Sequence, residues 1–372
     1  MLFALLLACG TNIDRAANPD DSDYPTLSKL DAQILDEMAL ARVPGLSACI
    51  IKDGAVAWCQ GYGYADIDAG RKVTHQTPFL LASVSKAVAG MALAHAAEDG
   101  LLGLDDPVND HIGFAATHPR DDTAISGRML AAHASGITDN WDVAEALYSD
   151  GDPTLSLGDF LEDYLTPGGE YYDASANFTQ TGPGTRSRYS NVGAGLMGHL
   201  VESAADQDFA DYCDENLFAP LGLEHTGWYL ADLDASEVAM PYEVRLGRYR
   251  AAGQYGFPDY PSGQLRSSAE DIAQILRVVM QGGEGILSPS SVETLLTVQY
   301  PDLDADQGLS WYRWKLDGEE VWGHNGGEIG AATEILFWPE DNVGVVVLMN
   351  GEGDDQTLPW IEKRMREAAA SL

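Results

Sequence analysis

Three short stretches bring together side chains able to do chemistry. The first is Ser83-Val84-Ser85-Lys86, at the start of a stretch patterned as a helix over 83–98, with Val84, Ala87, Val88, Met91 and Ala94 at helical spacing. Positions three apart on a helix share a face, so the Ser83 hydroxyl and the Lys86 amine can meet. A serine hydroxyl is a poor nucleophile until a neighbour takes its proton. The free backbone N–H groups of a helix start can also stabilise an oxyanion. Taken alone, Ser-x-x-Lys usually marks an exposed helix face. Here the helix is otherwise poor in charge, so its lone lysine requires a partner or a task. The second stretch is Tyr189-Ser190-Asn191, at the corner between Gly182-Pro183-Gly184-Thr185 and a helix expected over 191–203. A tyrosine hydroxyl beside a lysine can exchange a proton with serine, and Asn191 offers both a donor and an acceptor. The plainer alternative is a packed aromatic followed by a helix N-cap. The third is His324-Asn325-Gly326-Gly327, whose glycines permit close backbone approach to a ligand. Its plainer alternative is a glycine-rich turn with a surface histidine.

The elements that must position these residues come from the hydrophobic pattern. Residues 45–64 read as strand, Asp53-Gly54 turn, strand. The middle of the chain, about 107–285, reads as short helices between Gly/Pro/Asp loops, including 125–134, 191–203, 209–218 and 269–280. Strands return at 308–316, 319–323, 333–338 and 343–350, and a final helix covers 357–370. Sheet residues thus come from both chain ends and helices from the middle. The expected fold class is α+β, an antiparallel sheet flanked by helices with an inserted, mainly helical lobe.

Composition narrows the partners. Of the 372 residues, 58 are Asp or Glu against 21 Lys or Arg, for a net charge of −37. Such a surface repels nucleic-acid phosphates and anionic membranes, and no basic stretch interrupts it. Only six lysines are present, a balance that fits either a saline habitat or a plain soluble acidic surface. Arg266 and Arg313 could anchor an anion, or could be ordinary surface ion pairs. Cys49 and Cys59 fall on the two arms of the expected hairpin, and a bridge needs one particular register. Cys213 reads as a small buried hydrophobe.

Residues 1–9 form an apolar run too short to span a bilayer. The end of that run, Leu6-Leu7-Ala8-Cys9, resembles the lipobox of bacterial lipoproteins, although no basic segment precedes it. The resemblance implies lipidation at Cys9 and an extracytoplasmic location, with membrane contact only through that anchor. Residues 10–25, rich in Asn and Asp, then read as an acidic flexible tether ahead of a domain over 26–372. A buried N-terminal segment is the alternative.

In this order, the three motifs resemble those of the serine β-lactamase and penicillin-binding-protein superfamily. The match is to the branch holding class C β-lactamases, D-alanyl-D-alanine carboxypeptidases and family VIII esterases. The stretches LLGLDDPV (101–108), ISGRMLAAHASGI (125–137), PLGLEHTGW (220–228), PSGQLRSSAEDI (261–272) and GHNGGEIGAATEILFWP (323–339) are similar as well. The resemblance implies a β-lactamase/transpeptidase-like fold and an acyl-enzyme on Ser83, with Lys86 and Tyr189 as proton partners. Asn191 would hold Lys86 and the substrate amide. Ser83 and Gly327 would supply the oxyanion-binding N–H groups, and His324 and Gly326 would line the facing strand. No metal or other cofactor is implied. Cephalosporin-hydrolysing members carry a lysine where this chain has His324, which favours ester or peptide hydrolysis over strong β-lactamase activity. A D-Ala-D-Ala carboxypeptidase or weak β-lactamase is the rival enzyme, and a non-catalytic penicillin- or peptide-binding protein the rival of another class.

Overall fold

The computed structural model describes residues 13, 15–19, 21 and 23–372, so Cys9 and the 1–9 segment lie outside the described residues. Seven strands form one antiparallel sheet. Three come from the N-terminal part of the chain, β1 (Gly45–Lys52), β2 (Ala55–Asp66) and β3 (Arg71–Lys72). Four come from the C-terminal part, β4 (Tyr312–Leu316), β5 (Glu319–Glu328), β6 (Ala331–Trp338) and β7 (Val343–Met349), and the spatial order is β4-β5-β6-β7-β1-β2-β3. The helices that matter for the site are α1 (Ser28–Ala41), α2 (Ser85–Glu98), α3 (Asn191–Ala205), α4 (Ala269–Met280) and α5 (Thr357–Ala369).

Strand β7 is buried throughout and β1 nearly so, because the sheet is covered on both faces. Leu46, Ala48, Ile50, Val345, Val347 and Met349 pack on Leu30, Ile34 and Met38 of α1 and Ile361 and Met365 of α5. The alternate residues Cys49, Ile51, Val346 and Leu348 pack on the other side, in the core that includes Ile272, Ile275 and Leu276 of α4. Each buried aliphatic side chain contributes about 1.5–3 kcal/mol. Behind this layer α2 is buried along most of its length, so the lone lysine of its first turn is held inside the protein.

Several expectations shift in detail. Ser83 sits in a 3-10 turn, Ala82–Val84, that runs into α2, so the α-helix proper begins at Ser85. Ala82 takes φ of 48°, a left-handed conformation unusual for a residue with a Cβ. The strand expected at 308–316 begins only at Tyr312, whereas the one expected at 319–323 runs on to Glu328 and carries the whole His-Asn-Gly-Gly motif. Helix α1 is an element that the spacing analysis did not anticipate. The described part of the expected tether is not free chain. Ala17 bridges Tyr62, the Asn18 N–H donates to Gly61 O at 2.9 Å, and Asp21 accepts from the N–H groups of Gly61 (2.6 Å) and His75 (3.0 Å).

Cys49 lies directly opposite Cys59 and is bonded to it, with Cα atoms 4.1 Å apart. Cys213 is free and buried. Arg266, weighed above as a surface residue, is fully buried: its Nη2 donates to Tyr255 O at 2.7 Å, and no carboxylate of the described residues lies within 4 Å. Arg313 does pair at the surface, with Asp306 and Glu320.

A buried acid pair joins β6 to α5. Burial raises the Glu334 carboxyl above its ordinary range, and burial with the neighbouring Glu334 charge raises that of Glu362 further. A carboxyl with a raised folded-state pKa favours the fold below its unfolded value and loses that contribution as pH rises. Glu362→Gln is therefore expected to stabilise the protein by roughly 1–2 kcal/mol at pH 8, with the gain vanishing near pH 5. Thermal unfolding at both pH values checks this, and a variant less stable at pH 8 would contradict it.

Candidate active site

The chain approaches Ser83 through the strand Phe79–Leu80 and leaves it through α2. Lys86, one turn on, is 1% exposed, and its Nζ reaches Ser83 Oγ at 3.2 Å and Ser262 O at 2.5 Å. Tyr189 donates its hydroxyl to the same Ser83 Oγ at 2.9 Å, and Lys86 Nζ stands 4.8 Å from the Tyr189 ring centroid. Residues 106 positions apart in sequence thus meet on one oxygen.

Tyr189 is positioned by the start of α3. Ser190, not Asn191, is the N-cap, accepting from the Gly193 N–H at 2.9 Å. Asp139 secures the same corner, accepting from Ser190 Oγ at 2.9 Å, Asn191 N at 2.9 Å and Val192 N at 3.1 Å. Asn191 lines the cavity at Ser83, but Lys86 is held by the Ser262 carbonyl instead of by Asn191. The Oδ1 of Asn191 is buried without a partner.

The facing wall is β5. Residues 324–328 extend past the end of β4, whose pairing stops at Tyr312 opposite Gly323, so this part of β5 is open toward the cleft. Gly326 is pressed against the serine turn: a Cβ there would lie 2.4 Å from Leu81 O and 3.0 Å from Ser83 N. That close approach brings Gly327 to the cavity beside Ser83. His324, expected on the cleft wall, is instead buried just behind it, with its ring 4.7 Å from that of Tyr312. Burial, reinforced by the Lys86 charge, lowers its pKa to about 3. Its Nδ1–H donates to Asn325 O at 2.6 Å, which leaves Nε2 a bare acceptor with no partner.

Sequence reasoning missed several neighbours. His133 is fully buried, which pushes its pKa well below the ordinary value, with Lys86 and His324 adding to the effect. It accepts from Ser190 N at 3.3 Å through Nδ1 and stacks tilted on Tyr189 at 4.3 Å. Its protonated Nε2 is a donor without a partner, the complement of the bare acceptor on His324. Asp259 lines the cavity, and burial, then the Asp139 charge, raises its carboxyl to about 6 against the opposing pull of Lys86. No local pattern marked Asp259. His133 and Ser262 fall in or beside stretches already similar to known proteins, which is the signal that could have found them.

The cavity over Ser83 measures about 190 Å³ and is walled by Trp141, Tyr148 and Phe257 along with Tyr189, Asn191 and Asp259. A larger cavity of about 800 Å³ opens on the far side of β5, between Asn325 and Glu334 and the start of α5. It holds none of the residues that converge on Ser83, which leaves the smaller one as the candidate site.

The fold and the Ser83, Lys86 and Tyr189 cluster suit a serine nucleophile with two proton partners. The chain belongs to the beta-lactamase family, whose model matches residues 30–370, and with it to the superfamily of serine β-lactamases and penicillin-binding proteins. Protein flp of Staphylococcus aureus is 25% identical over 329 residues, which cover 87% of this chain and 62% of that protein's length. The solved octameric penicillin-binding protein homologue from Pyrococcus abyssi matches with a TM-score of 0.73 at 25% identity, over 91% of this chain and 76% of the other. The D-amino acid amidase from Ochrobactrum anthropi matches with a TM-score of 0.72 at 20% identity, over 92% and 99% of the two chains, a likeness of fold alone.

Proposed function

We propose that the protein hydrolyses acyl esters or amides through an acyl-enzyme on Ser83. The observation that carries this reading is the double contact on Ser83 Oγ, from Lys86 Nζ at 3.2 Å and the Tyr189 hydroxyl at 2.9 Å, at the floor of a small cavity. Ser83 Oγ attacks the acyl carbon and its proton passes to the Lys86–Tyr189 pair. The pair takes it up while holding one proton fewer than its fully protonated form, as neutral amine or as tyrosinate. The oxyanion that forms is received by the N–H groups of Ser83 and Gly327. The bond to the leaving alcohol or amine then breaks, with the proton returned to the leaving group. Water attacks the acyl-serine in turn, releasing the acid and restoring the hydroxyl. His324, neutral and turned away from the cavity, takes no part as a fixed cation. Among the described residues, only Lys86 of the cationic side chains touches this centre, which favours neutral or cationic esters and amides over β-lactams and D-Ala-D-Ala peptides, both of which carry a carboxylate.

The Cys49–Cys59 bridge supports an oxidising, extracytoplasmic location, and among the described residues no helix is long and apolar enough to cross a membrane. Anchoring at Cys9 remains part of the same proposal. One experiment tests activity and location together. A membrane-impermeant fluorophosphonate should label the protein on intact cells, and Ser83→Ala should lose both the label and p-nitrophenyl butyrate turnover. Turnover retained by Ser83→Ala would remove Ser83 as nucleophile, and labelling seen only after lysis would remove the extracytoplasmic location.

A further inference from the structure

The cavity over Ser83 is supplied with acceptors and aromatic faces but has no cation at its outer end. Asp259 and Glu328 both line it, and no Lys, Arg or His of the described residues lies within 4 Å of either carboxylate. The hydrogen-bond partner of the Asp259 carboxylate is Ser262 Oγ at 3.2 Å. Glu328 accepts from the Tyr148 hydroxyl at 3.0 Å and the Ile329 N–H at 3.0 Å, which fixes it at the rim directly after Gly327. Asn191 adds a buried carbonyl oxygen with no partner. A buried carboxylate with no cation within 4 Å and a buried acceptor without a donor are both costly, and each is relieved by a ligand that brings a positive charge and N–H groups.

The walls have the same preference. Trp141 stands half-exposed at the mouth, and the Tyr148 and Phe257 rings lie 5.2 Å apart, tilted by 31°. Aromatic faces attract cations, most strongly where water is excluded. Both arginines considered above lie elsewhere, Arg266 inside the core and Arg313 on the far side of β5. A carboxylate entering this cavity would meet two like charges, opposed among the described residues by Lys86 beneath Ser83. The volume of about 190 Å³ suits an acyl group of roughly the size of an amino acid.

From these features, and resting on the serine-hydrolase reading above, we infer that the natural substrate is a small ester or amide whose acyl part carries a free, protonated amine, with Asp259 and Glu328 as the residues that select it. The ammonium sits between the two carboxylates and the aromatic walls. Its N–H groups reach the unpaired Asn191 oxygen, and its position leaves the acyl carbon over Ser83.

The test uses labelling of Ser83 by a fluorophosphonate in competition with three compounds that differ in charge: alanine p-nitroanilide (both enantiomers), propanoyl p-nitroanilide and N-succinyl-alanine p-nitroanilide. At least one alanine enantiomer is expected to protect Ser83 at a concentration at least tenfold lower than the propanoyl compound, with the succinyl compound the weakest. In Asp259→Asn and in Glu328→Gln the gap between alanine and propanoyl compounds should narrow at least threefold. A general disturbance of the cavity would weaken all three alike and leave the ratio standing. Equal protection by charged and neutral compounds, protection by none, or a gap undiminished in both variants would overturn the inference. Failure of the native protein to label at all would instead sink the serine-hydrolase reading beneath it.

Discussion

Lys86→Ala is expected to slow acylation of Ser83 by about 10³–10⁵-fold, a loss of proton transfer and of site electrostatics together. The lysine has no exposed surface role to lose: it is 1% exposed, and its amine is committed to Ser83 Oγ and Ser262 O. Tyr189 would remain 2.9 Å from the serine, so the size of the loss measures how far the tyrosine can act alone. Shortening a buried side chain also leaves a cavity costing on the order of 2–4 kcal/mol, which thermal unfolding would register separately from the rate. Stopped-flow acylation with a p-nitrophenyl ester gives the rate directly. A loss under tenfold would mean that another base serves Ser83.

Gly326→Ala is expected to damage the site from the opposite wall. Its Cβ would fall 2.4 Å from Leu81 O, 2.5 Å from Thr333 Oγ1 and 3.0 Å from Ser83 N. Thr333 Oγ1 already donates to Leu81 O at 2.6 Å, so strand and serine turn are clamped and neither can yield freely. Relief requires β5 to move outward, carrying the Gly327 N–H away from that of Ser83. The cost of a misplaced oxyanion donor is about 10²–10³ in kcat, with overpacking adding roughly 1–3 kcal/mol of instability. Gly327→Ala is the internal comparison, since a Cβ there meets nothing within 4 Å and should leave the melting temperature where it was. Ester kinetics and thermal melts of both variants check this, and equal melting temperatures for the two would contradict the clamp.

The legible part of the site was its short-range part. Ser83 and Lys86 are three residues apart, and Tyr189 and Asn191 flank a helix cap, so spacing alone could bring each pair onto one corner. The long strands were legible because β1, β6 and β7 are buried enough to read as apolar runs. What spacing could not give was set by single-residue irregularities and by tertiary contact. With the Asp53-Gly54 turn and Lys52 opposite Ala55, a regular hairpin would place Cys49 opposite Trp58. A bulge after Ile51↔Val56 shifts the register by one and brings Cys59 into place. Arg266 sits in a polar local sequence, yet it is buried because the Phe79–Leu80 and Thr226–Gly227 strands close over it on either side. Asp259 has no local pattern beyond Ser262 in its own turn, since its neighbours Asp139 and Lys86 are brought to it by two other segments. The family resemblance places His324 on the cleft wall, with its motif beginning after the strand expected at 319–323. The strand instead continues to Glu328, and its side chain falls on the buried face with Gly326.

The most direct measurement is the intact mass of the protein after incubation with a fluorophosphonate and, separately, with penicillin, followed by peptide mapping of any adduct. A single fluorophosphonate adduct on Ser83, with slow or absent modification by penicillin, is the expected result for an ester or amide hydrolase whose cavity lacks a carboxylate anchor. An adduct on any other residue, or none with either reagent, would contradict the assignment of Ser83 as the acylated nucleophile.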